Sequence, residues 1–67
     1  MRDAKITYRQ RQVLQLAAEG YTAREIGEKL GIKSRTVEAH RRDIKDRLGL
    51  HNQSELVLWA VRHGLVK

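Results

Sequence analysis

The fold of this chain is decided by residues 21–37, which read YTAREIGEKLGIKSRTV. Thr22 precedes Glu25 by three positions, which is the spacing of a capping box at the start of a helix. Gly31 follows a short segment with apolar residues at helical spacing, and glycine commonly ends a helix at such a position. A second apolar stripe begins at Val37, so the stretch predicts two helices joined by a turn of about three residues. This spacing is typical of the helix-turn-helix.

A glycine inside the first of these two helices supports the same interpretation. Gly27 stands where a helix interior is predicted, and glycine there costs roughly 0.5–1 kcal/mol relative to alanine. Such a glycine usually permits another backbone to approach closely, although a tolerated weak point is the alternative. We therefore expect the turn and the following helix to pack tightly against Gly27.

Similar signals mark helices on both sides of this stretch. Thr7 precedes Gln10 by three positions, and Asn52 precedes Glu55 by three, which predicts two further helix N-termini. Helix ends are predicted at glycines that follow helix-favouring segments, namely Gly20, Gly31, Gly49 and Gly64.

These signals together predict an all-α four-helix bundle. Apolar residues recur at helical spacing, and no segment alternates as a strand would. The third helix is expected over about 34–48 with Ser34 as its cap, and the fourth over about 52–63. The side chains expected to face inward in the first three helices are Val13, Leu14, Ala17, Ile26, Leu30, Val37, His40, Ile44 and Leu48.

Length and composition restrict the classes of protein to which the chain can belong. Its 67 residues are expected to form a single domain over 1–67, close to the lower limit at which one core can sustain a fold. The sequence has no cysteine, which suits a reducing compartment and predicts a cytoplasmic protein. The longest apolar run, 56–61, is too short to cross a membrane.

Enzymatic and metal-binding functions have little support in the sequence. Ser34, His40 and Asp43 are residue types found in a catalytic triad, but they lie along one predicted helix and cannot converge. His51 and His63 have no cysteine or carboxylate at the spacing of a zinc site. We therefore expect no catalytic residue, metal or cofactor.

The distribution of charge points to a polyanionic partner. The formal net charge is +6, which attracts nucleic acid. Residues 33–48 hold six basic and three acidic side chains, a net charge of +3. A solvated helix face with ion pairs such as Glu38 with Arg42 is the alternative. Because a protruding basic helix fits the major groove, we predict double-stranded DNA as the partner.

Several runs of sequence are similar to a known family. They are 6–14 (ITYRQRQVL), 20–27 (GYTAREIG) and 36–41 (TVEAHR), followed by Ile44, Leu48, Gly49, Asn52 and Glu55. Together they resemble the LuxR/FixJ-type DNA-binding domain of bacterial transcriptional regulators, over nearly the whole chain. The third run favours the FixJ-like branch of response regulators. The resemblance implies that the third helix binds DNA and the fourth dimerises. It also implies that the chain is the C-terminal piece of a longer regulator with a receiver or ligand-binding domain.

The resemblance also implies which side chains meet DNA. The positions that face base edges in the family are occupied here by Glu38, Ala39 and Arg42. Arg42 suits guanine O6 and N7, whereas Glu38 either accepts from a cytosine amino group or orients Arg42, the role that we favour. The expected phosphate contacts are Arg24, Lys33, Ser34, Arg35, Thr36, Arg41 and Lys45.

The sequence departs from the pattern of this family at several positions. Gln10 and Gln12 stand where glutamates are usual, and we expect the change at Gln10 to weaken a charge pair near the first helix. The other departures are Ala23 for asparagine, Gly27 for alanine, Lys33 for serine or threonine and Gln53 for arginine.

The fourth helix predicts a second interaction surface. If Val57, Ala60, Val61 and Gly64 face the core, then Leu58 and Trp59 point outward. We therefore expect a homodimer on DNA, with Leu58, Trp59 and Arg62 at the dimer interface and an inverted-repeat site. The alternative is a rotated helix with Trp59 in the core.

Two other functions remain open at this point. A sigma-factor promoter-recognition domain has a similar helix-turn-helix and acts as a monomer within RNA polymerase, but the apolar fourth helix argues against it. A basic protein-interaction module is the other candidate. RNA polymerase is also a candidate partner of a DNA-bound regulator.

Overall fold

The structure is a computed structural model that describes residues 6–66. This range contains four α-helices and no strand. The helices are α1 (Tyr8–Ala18), α2 (Ala23–Leu30), α3 (Ser34–Leu48) and α4 (Gln53–Arg62). The predicted all-α architecture is confirmed, and both α3 and α4 lie within one residue of their expected bounds.

Reciprocal capping boxes begin α1 and α2. Thr7 Oγ1 accepts from the Gln10 N–H at 3.1 Å, and Gln10 Oε1 accepts from the Thr7 N–H at 3.0 Å. Thr22 and Glu25 make the equivalent bonds at 3.1 and 2.9 Å. These bonds satisfy N–H groups that have no acceptor within their own helix. Both predicted helix starts are confirmed.

A variant of this arrangement begins α4. The Asn52 side chain caps the helix by accepting from the Glu55 N–H at 2.9 Å, as predicted. The Glu55 carboxylate reaches one residue further back than in a capping box and accepts from the His51 N–H at 2.6 Å. This backbone hydrogen bond lowers the pKa of Glu55 below its ordinary value of 4.5.

The start of α3 differs from the prediction. We expected Ser34 to be the cap, but the cap is Lys33, and Ser34 is the first helical residue. The Lys33 carbonyl already accepts from the N–H groups of Thr36 and Val37, at 2.9 and 3.1 Å. Lys33 is extended and follows the left-handed Gly31 by two residues, so α3 begins immediately after the short turn. No side chain caps this end of α3.

Left-handed glycines end two of the helices. Gly31 closes α2 with φ 73°, and Gly49 closes α3 with φ 70°. A side chain in this backbone conformation is strained, which explains the glycine at both positions. Gly20 and Gly64 also have positive φ, just beyond the ends of α1 and α4. The four helix ends predicted from the glycines are confirmed.

Gly27 lies directly against the turn between α2 and α3. A Cβ atom built on Gly27 lies 2.5 Å from the Ile32 carbonyl oxygen and 3.4 Å from the Ser34 nitrogen. The Ile32 N–H also donates to the Gly27 carbonyl at 3.0 Å. The predicted close approach is therefore confirmed, and the absence of a side chain at Gly27 lets the turn close on α2.

The hydrophobic core fixes α3 from two sides. This helix packs against both α1 and α2, and α1 also packs against α4. Burial of each large side chain contributes about 1.5–3 kcal/mol. The buried hydrophobic residues are Val13, Leu14, Ala17, Ile26, Val37, Ile44, Leu56 and Ala60. Leu30, His40 and Leu48, also expected to face inward, are half-buried, and the two leucines pack against the core.

The orientation of α4 corrects the prediction. Leu56 and Ala60 are buried, whereas Val61, expected in the core, is 47% exposed. Trp59, expected to point outward, is half-buried and packs against the core. A stripe of Leu56, Trp59 and Ala60 has the i, i+3, i+4 spacing of one helix face, and it places larger apolar side chains against α1 than the predicted stripe does. Leu58 is 48% exposed, as expected.

Candidate nucleic-acid interface

One face of α3 is open to solvent along its whole length. Its inner face is closed by Val37 and Ile44, which are fully buried. The opposite side carries charged, polar and small residues that lie on neighbouring turns. The exposed residues of α3 are Ser34, Arg35, Thr36, Glu38, Ala39, Arg42, Asp46 and Arg47.

The three residues expected to read bases lie together on this face. Glu38, Ala39 and Arg42 are all exposed and stand within little more than one helical turn. Arg42 takes part in none of the ion pairs between residues 6 and 66. Glu38 lies 3.9 Å from Arg41, measured between its Oε1 and the arginine Nε. In this structure the Glu38 carboxylate forms its ion pair with Arg41 rather than with Arg42, and the expectation that Glu38 orients Arg42 stays a prediction.

Most residues of the expected phosphate set lie at the N-terminal end of α3. Residues 33–36 are all exposed, and no side chain caps the first turn. Lys45 lies three turns further along the helix and is half-buried. On α2, Arg24 is exposed and pairs with Glu28 at 3.7 Å, a surface pair worth little.

Arg41 differs from the rest of that set. Its side chain is 21% exposed, and its Nη2 donates to the Gln53 side-chain oxygen at 3.0 Å. The Gln53 amide in turn donates to the Ala17 carbonyl at 3.1 Å. Arg41 is therefore directed toward α4 and the end of α1, where it links three helices, rather than standing free at the surface.

A hydrogen-bonded chain connects α1 to the other side of α3. Gln10 is 5% exposed, and its Nε2 donates to Asp43 Oδ2 at 2.7 Å. Arg47 Nε donates to the same oxygen at 3.0 Å. The hydrogen bond from Gln10 is the main cause that lowers the pKa of Asp43 below its ordinary value of 3.8, and the charge of Arg47 adds to it. Glutamine at this position thus links α1 to α3 through a hydrogen bond, and the expected weakening of a charge pair stays a prediction.

The sequence contained a signal for this link that the prediction missed. Gln10 precedes Val13, Leu14 and Ala17 by three, four and seven positions, so it belongs to the inward stripe of α1. A polar side chain on such a stripe must find a partner when it is buried. The partner, Asp43, lies 33 residues away in the sequence, and only the packing of the helices identifies it.

The proposed dimer residues lie on α4 with different degrees of exposure. Leu58 and Arg62 are exposed, whereas Trp59 is half-buried. The Trp59 ring stacks on His63, with ring centroids 3.7 Å apart and planes at 12°. His63 Nδ1 also lies 2.8 Å from the Trp59 carbonyl oxygen. The indole is thus held in a fixed position at the rim of the core.

The concave site beside α3 is shallow. The cleft beside α3 has a volume of about 360 Å³ and is lined by Gln10, Ala39, His40, Arg42, Asp43 and Asp46. Between residues 6 and 66, no three His, Asp or Glu side chains are placed to hold a metal ion. Within the same range, no helix has the length and apolarity needed to cross a membrane.

Comparison with known proteins identifies the family. Residues 4–60 match the family described as bacterial regulatory proteins, luxR family. The chain is 41% identical over 61 residues to the transcriptional regulatory protein MctR of Rhizobium johnstonii, covering 91% of this chain and 28% of that protein. It is 40% identical over 62 residues to the oxygen regulatory protein NreC of Staphylococcus aureus, covering 92% of this chain and 29% of that protein. The chain thus spans less than a third of the length of these relatives. On the strength of the family match and the helix-turn-helix fold, the chain belongs to the LuxR family of bacterial regulatory proteins.

Proposed function

We propose that this chain binds double-stranded DNA sequence-specifically to regulate transcription, with α3 in the major groove. The observation that carries the proposal is the open face of α3, on which Arg42 is exposed and takes part in no ion pair between residues 6 and 66. The helix is supported from behind by α1 and α2, so its outer face is free to enter a groove.

The base-reading residues in this proposal are Glu38, Ala39 and Arg42. The guanidinium of Arg42 can donate two parallel hydrogen bonds to guanine O6 and N7. The small side chain of Ala39 lets the helix approach the base edges closely and can contact a thymine methyl group. Glu38 accepts from a cytosine amino group in this proposal.

Phosphate contacts position the helix in the groove without reading sequence. The uncapped first turn of α3 offers backbone N–H groups and a partial positive charge to a phosphate oxygen. Lys33, Arg35 and the hydroxyls of Ser34 and Thr36 surround this end, while Arg24 and Lys45 extend the basic rim. Arg41 has a second role in this account, because its hydrogen bond to Gln53 ties α3 to α4.

A second copy of the chain is the proposed partner of α4. Leu58 and Val61 are 48% and 47% exposed, which leaves apolar surface uncovered on this helix. The proposed contact consists of Leu58, the edge of Trp59 and Arg62. Around a twofold axis, each of these residues meets the same residue, or a neighbouring one, of the second copy. The pair would bind an inverted repeat with half-sites about one helical turn of DNA apart.

Selection of bound duplexes from a random pool tests the proposal. The chain should enrich one inverted-repeat sequence, and affinity for that duplex should exceed affinity for a scrambled duplex by at least about 10³-fold. The logarithm of the binding constant should also fall linearly with the logarithm of salt concentration, by about 0.9 per phosphate contacted. Failure to enrich any sequence, or binding that is independent of salt, would contradict the proposal.

A further inference from the structure

The hydrogen bond between Gln10 and Asp43 makes a direct polar link between α1 and α3. Both helices also contribute apolar side chains to the shared core, such as Val13 and Ile44. Burial of apolar side chains stabilises the packing of the two helices, but the hydrophobic effect has no preferred direction. A short hydrogen bond to a carboxylate is directional and stronger than a neutral one. It therefore adds a directional restraint on the rotation of α3 about its own axis to that of the core.

The hydrogen-bond partners of Gln10 fix the orientation of its side-chain amide. Gln10 Oε1 accepts from the Thr7 N–H at 3.0 Å, so the carbonyl end of the amide must face Thr7. The amide NH₂ then faces Asp43, to which it donates at 2.7 Å. Asp43 Oδ2 also accepts from Arg47 at 3.0 Å. Each atom of the Gln10 amide thus has one assigned partner, and rotation of the amide by half a turn would break both bonds.

Asp43 lies next to the surface proposed to read bases. It follows Arg42 directly in the sequence, and both line the shallow cleft with Ala39. Successive residues of a helix are separated by a fixed rotation, so the direction of Asp43 determines the direction of Arg42. Fixing Asp43 against α1 therefore fixes the angle at which Arg42 leaves the helix.

We propose that Gln10 is a positioning residue for base recognition, because its hydrogen bond to Asp43 sets the rotation of α3 and the direction of Arg42. This inference rests on the proposed function, in which α3 reads the major groove. Gln10 itself is buried and touches no DNA in this arrangement. Its effect must therefore appear in the discrimination between sequences.

Substitution by glutamate separates this role from helix capping. Gln10→Glu keeps an oxygen that can accept from the Thr7 N–H, because glutamate also occupies this place in capping boxes. It removes the NH₂ donor and places a second carboxylate against Asp43. The double variant Gln10→Glu with Asp43→Asn reverses the polarity of the pair, since the asparagine amide can donate to the glutamate. Gln12→Glu is the matched control, because it adds the same charge to α1 at a half-buried position two residues away.

The experiment measures the affinities of each variant for the selected duplex and for a scrambled duplex, together with thermal unfolding. We expect Gln10→Glu to lower the ratio of the two affinities by about tenfold relative to Gln12→Glu, which corresponds to losing much of one bidentate base contact. The double variant should return the ratio to within about threefold of the original value. This recovery also keeps the test decisive if Gln10→Glu alone fails to fold.

Two outcomes would overturn the inference. One is an equal ratio for Gln10→Glu and Gln12→Glu. The other is a folded double variant whose ratio stays low. A separate result would instead count against the proposed function: an unmodified chain that binds the selected and scrambled duplexes equally.

Discussion

The guanidinium of Arg41 donates to the side-chain oxygen of Gln53 across 3.0 Å, and this bond joins α3 to α4. The same glutamine donates from its Nε2 to the Ala17 carbonyl at the end of α1. One side chain therefore connects three helices at the point where the proposed DNA-binding and dimer-forming elements meet.

Loss of this glutamine should reduce stability. We expect Gln53→Ala to lower the free energy of unfolding by about 1 kcal/mol, because it removes the partner of Arg41 and of the Ala17 carbonyl. Urea denaturation monitored by circular dichroism measures the change. Gln15→Ala is a suitable control, since Gln15 is exposed and contacts Glu19 of its own helix at 3.5 Å. Equal effects of the two substitutions would contradict the bridging role of Gln53.

Alanine at Gly27 should also be destabilising. Alanine favours a helix over glycine by roughly 0.5–1 kcal/mol, but its Cβ would lie 2.5 Å from the backbone oxygen of Ile32. The turn must move to accommodate it, and forced overpacking of this kind typically costs about 1–3 kcal/mol. We therefore expect a net loss of about 1 kcal/mol in thermal or urea unfolding. An increase in stability would show that the turn relaxes without cost.

Acid should weaken the fold through two carboxylates. The pKa of Asp43 is lowered by the hydrogen bond from Gln10, and the pKa of Glu55 is lowered by the backbone N–H of His51. A lowered pKa in the folded state means that stability is fully present above the ordinary values of 3.8 and 4.5 and is lost as the pH falls through the lowered ones.

Unfolding measured between neutral pH and acid tests this expectation. Asp43→Asn should make the loss of stability below about pH 4 smaller. The variant lacks the carboxylate that takes up a proton more readily in the unfolded chain than in the folded one. The same substitution should leave the contribution of Glu55 intact. An equal loss of stability at low pH in the variant and in the original chain would contradict the role assigned to Asp43.

Removal of the exposed leucine on α4 should weaken the proposed dimer of two copies without affecting the fold. Leu58 is 48% exposed, so Leu58→Asn should change stability little. We expect it to abolish cooperative binding to two half-sites, while the dissociation constant for a single half-site stays within about twofold. Anisotropy titrations on one-site and two-site duplexes separate the two effects. Unchanged cooperativity would place the dimer contact elsewhere.

Local features of the fold were predictable from the sequence, because neighbouring residues determine them. The capping residues Thr7 and Thr22 act on N–H groups three positions away, and the glycines end helices through their own backbone conformation. Gly27 was predictable for a similar reason, since a glycine in a helix interior is costly without a close neighbour. These signals suffice to place the helices of the described range and the helix-turn-helix.

Features that depend on how helices pack were not predictable in the same way. The rotation of α4 depends on which apolar side chains fit against α1. Ala60 belongs both to the stripe predicted from the sequence and to the buried stripe observed, so it could not distinguish them. The hydrogen bond of Gln10 to Asp43 and that of Arg41 to Gln53 join residues 33 and 12 positions apart. The sequence indicated the basic face of α3. It did not show that Arg41 and Arg47 form ion pairs whereas Arg35 and Arg42 take part in none within residues 6–66.

Comparison of Arg42→Ala with Lys45→Ala tests the central claim, that the exposed face of α3 reads bases. Affinities are measured on the selected duplex and on a scrambled duplex over a range of salt concentrations. Arg42→Ala should cost about 1–3 kcal/mol of binding free energy on the selected duplex and much less on the scrambled one. Lys45→Ala should weaken binding to both duplexes equally and lower the slope of log affinity against log salt concentration by about one. Equal losses on both duplexes for Arg42→Ala would contradict the claim.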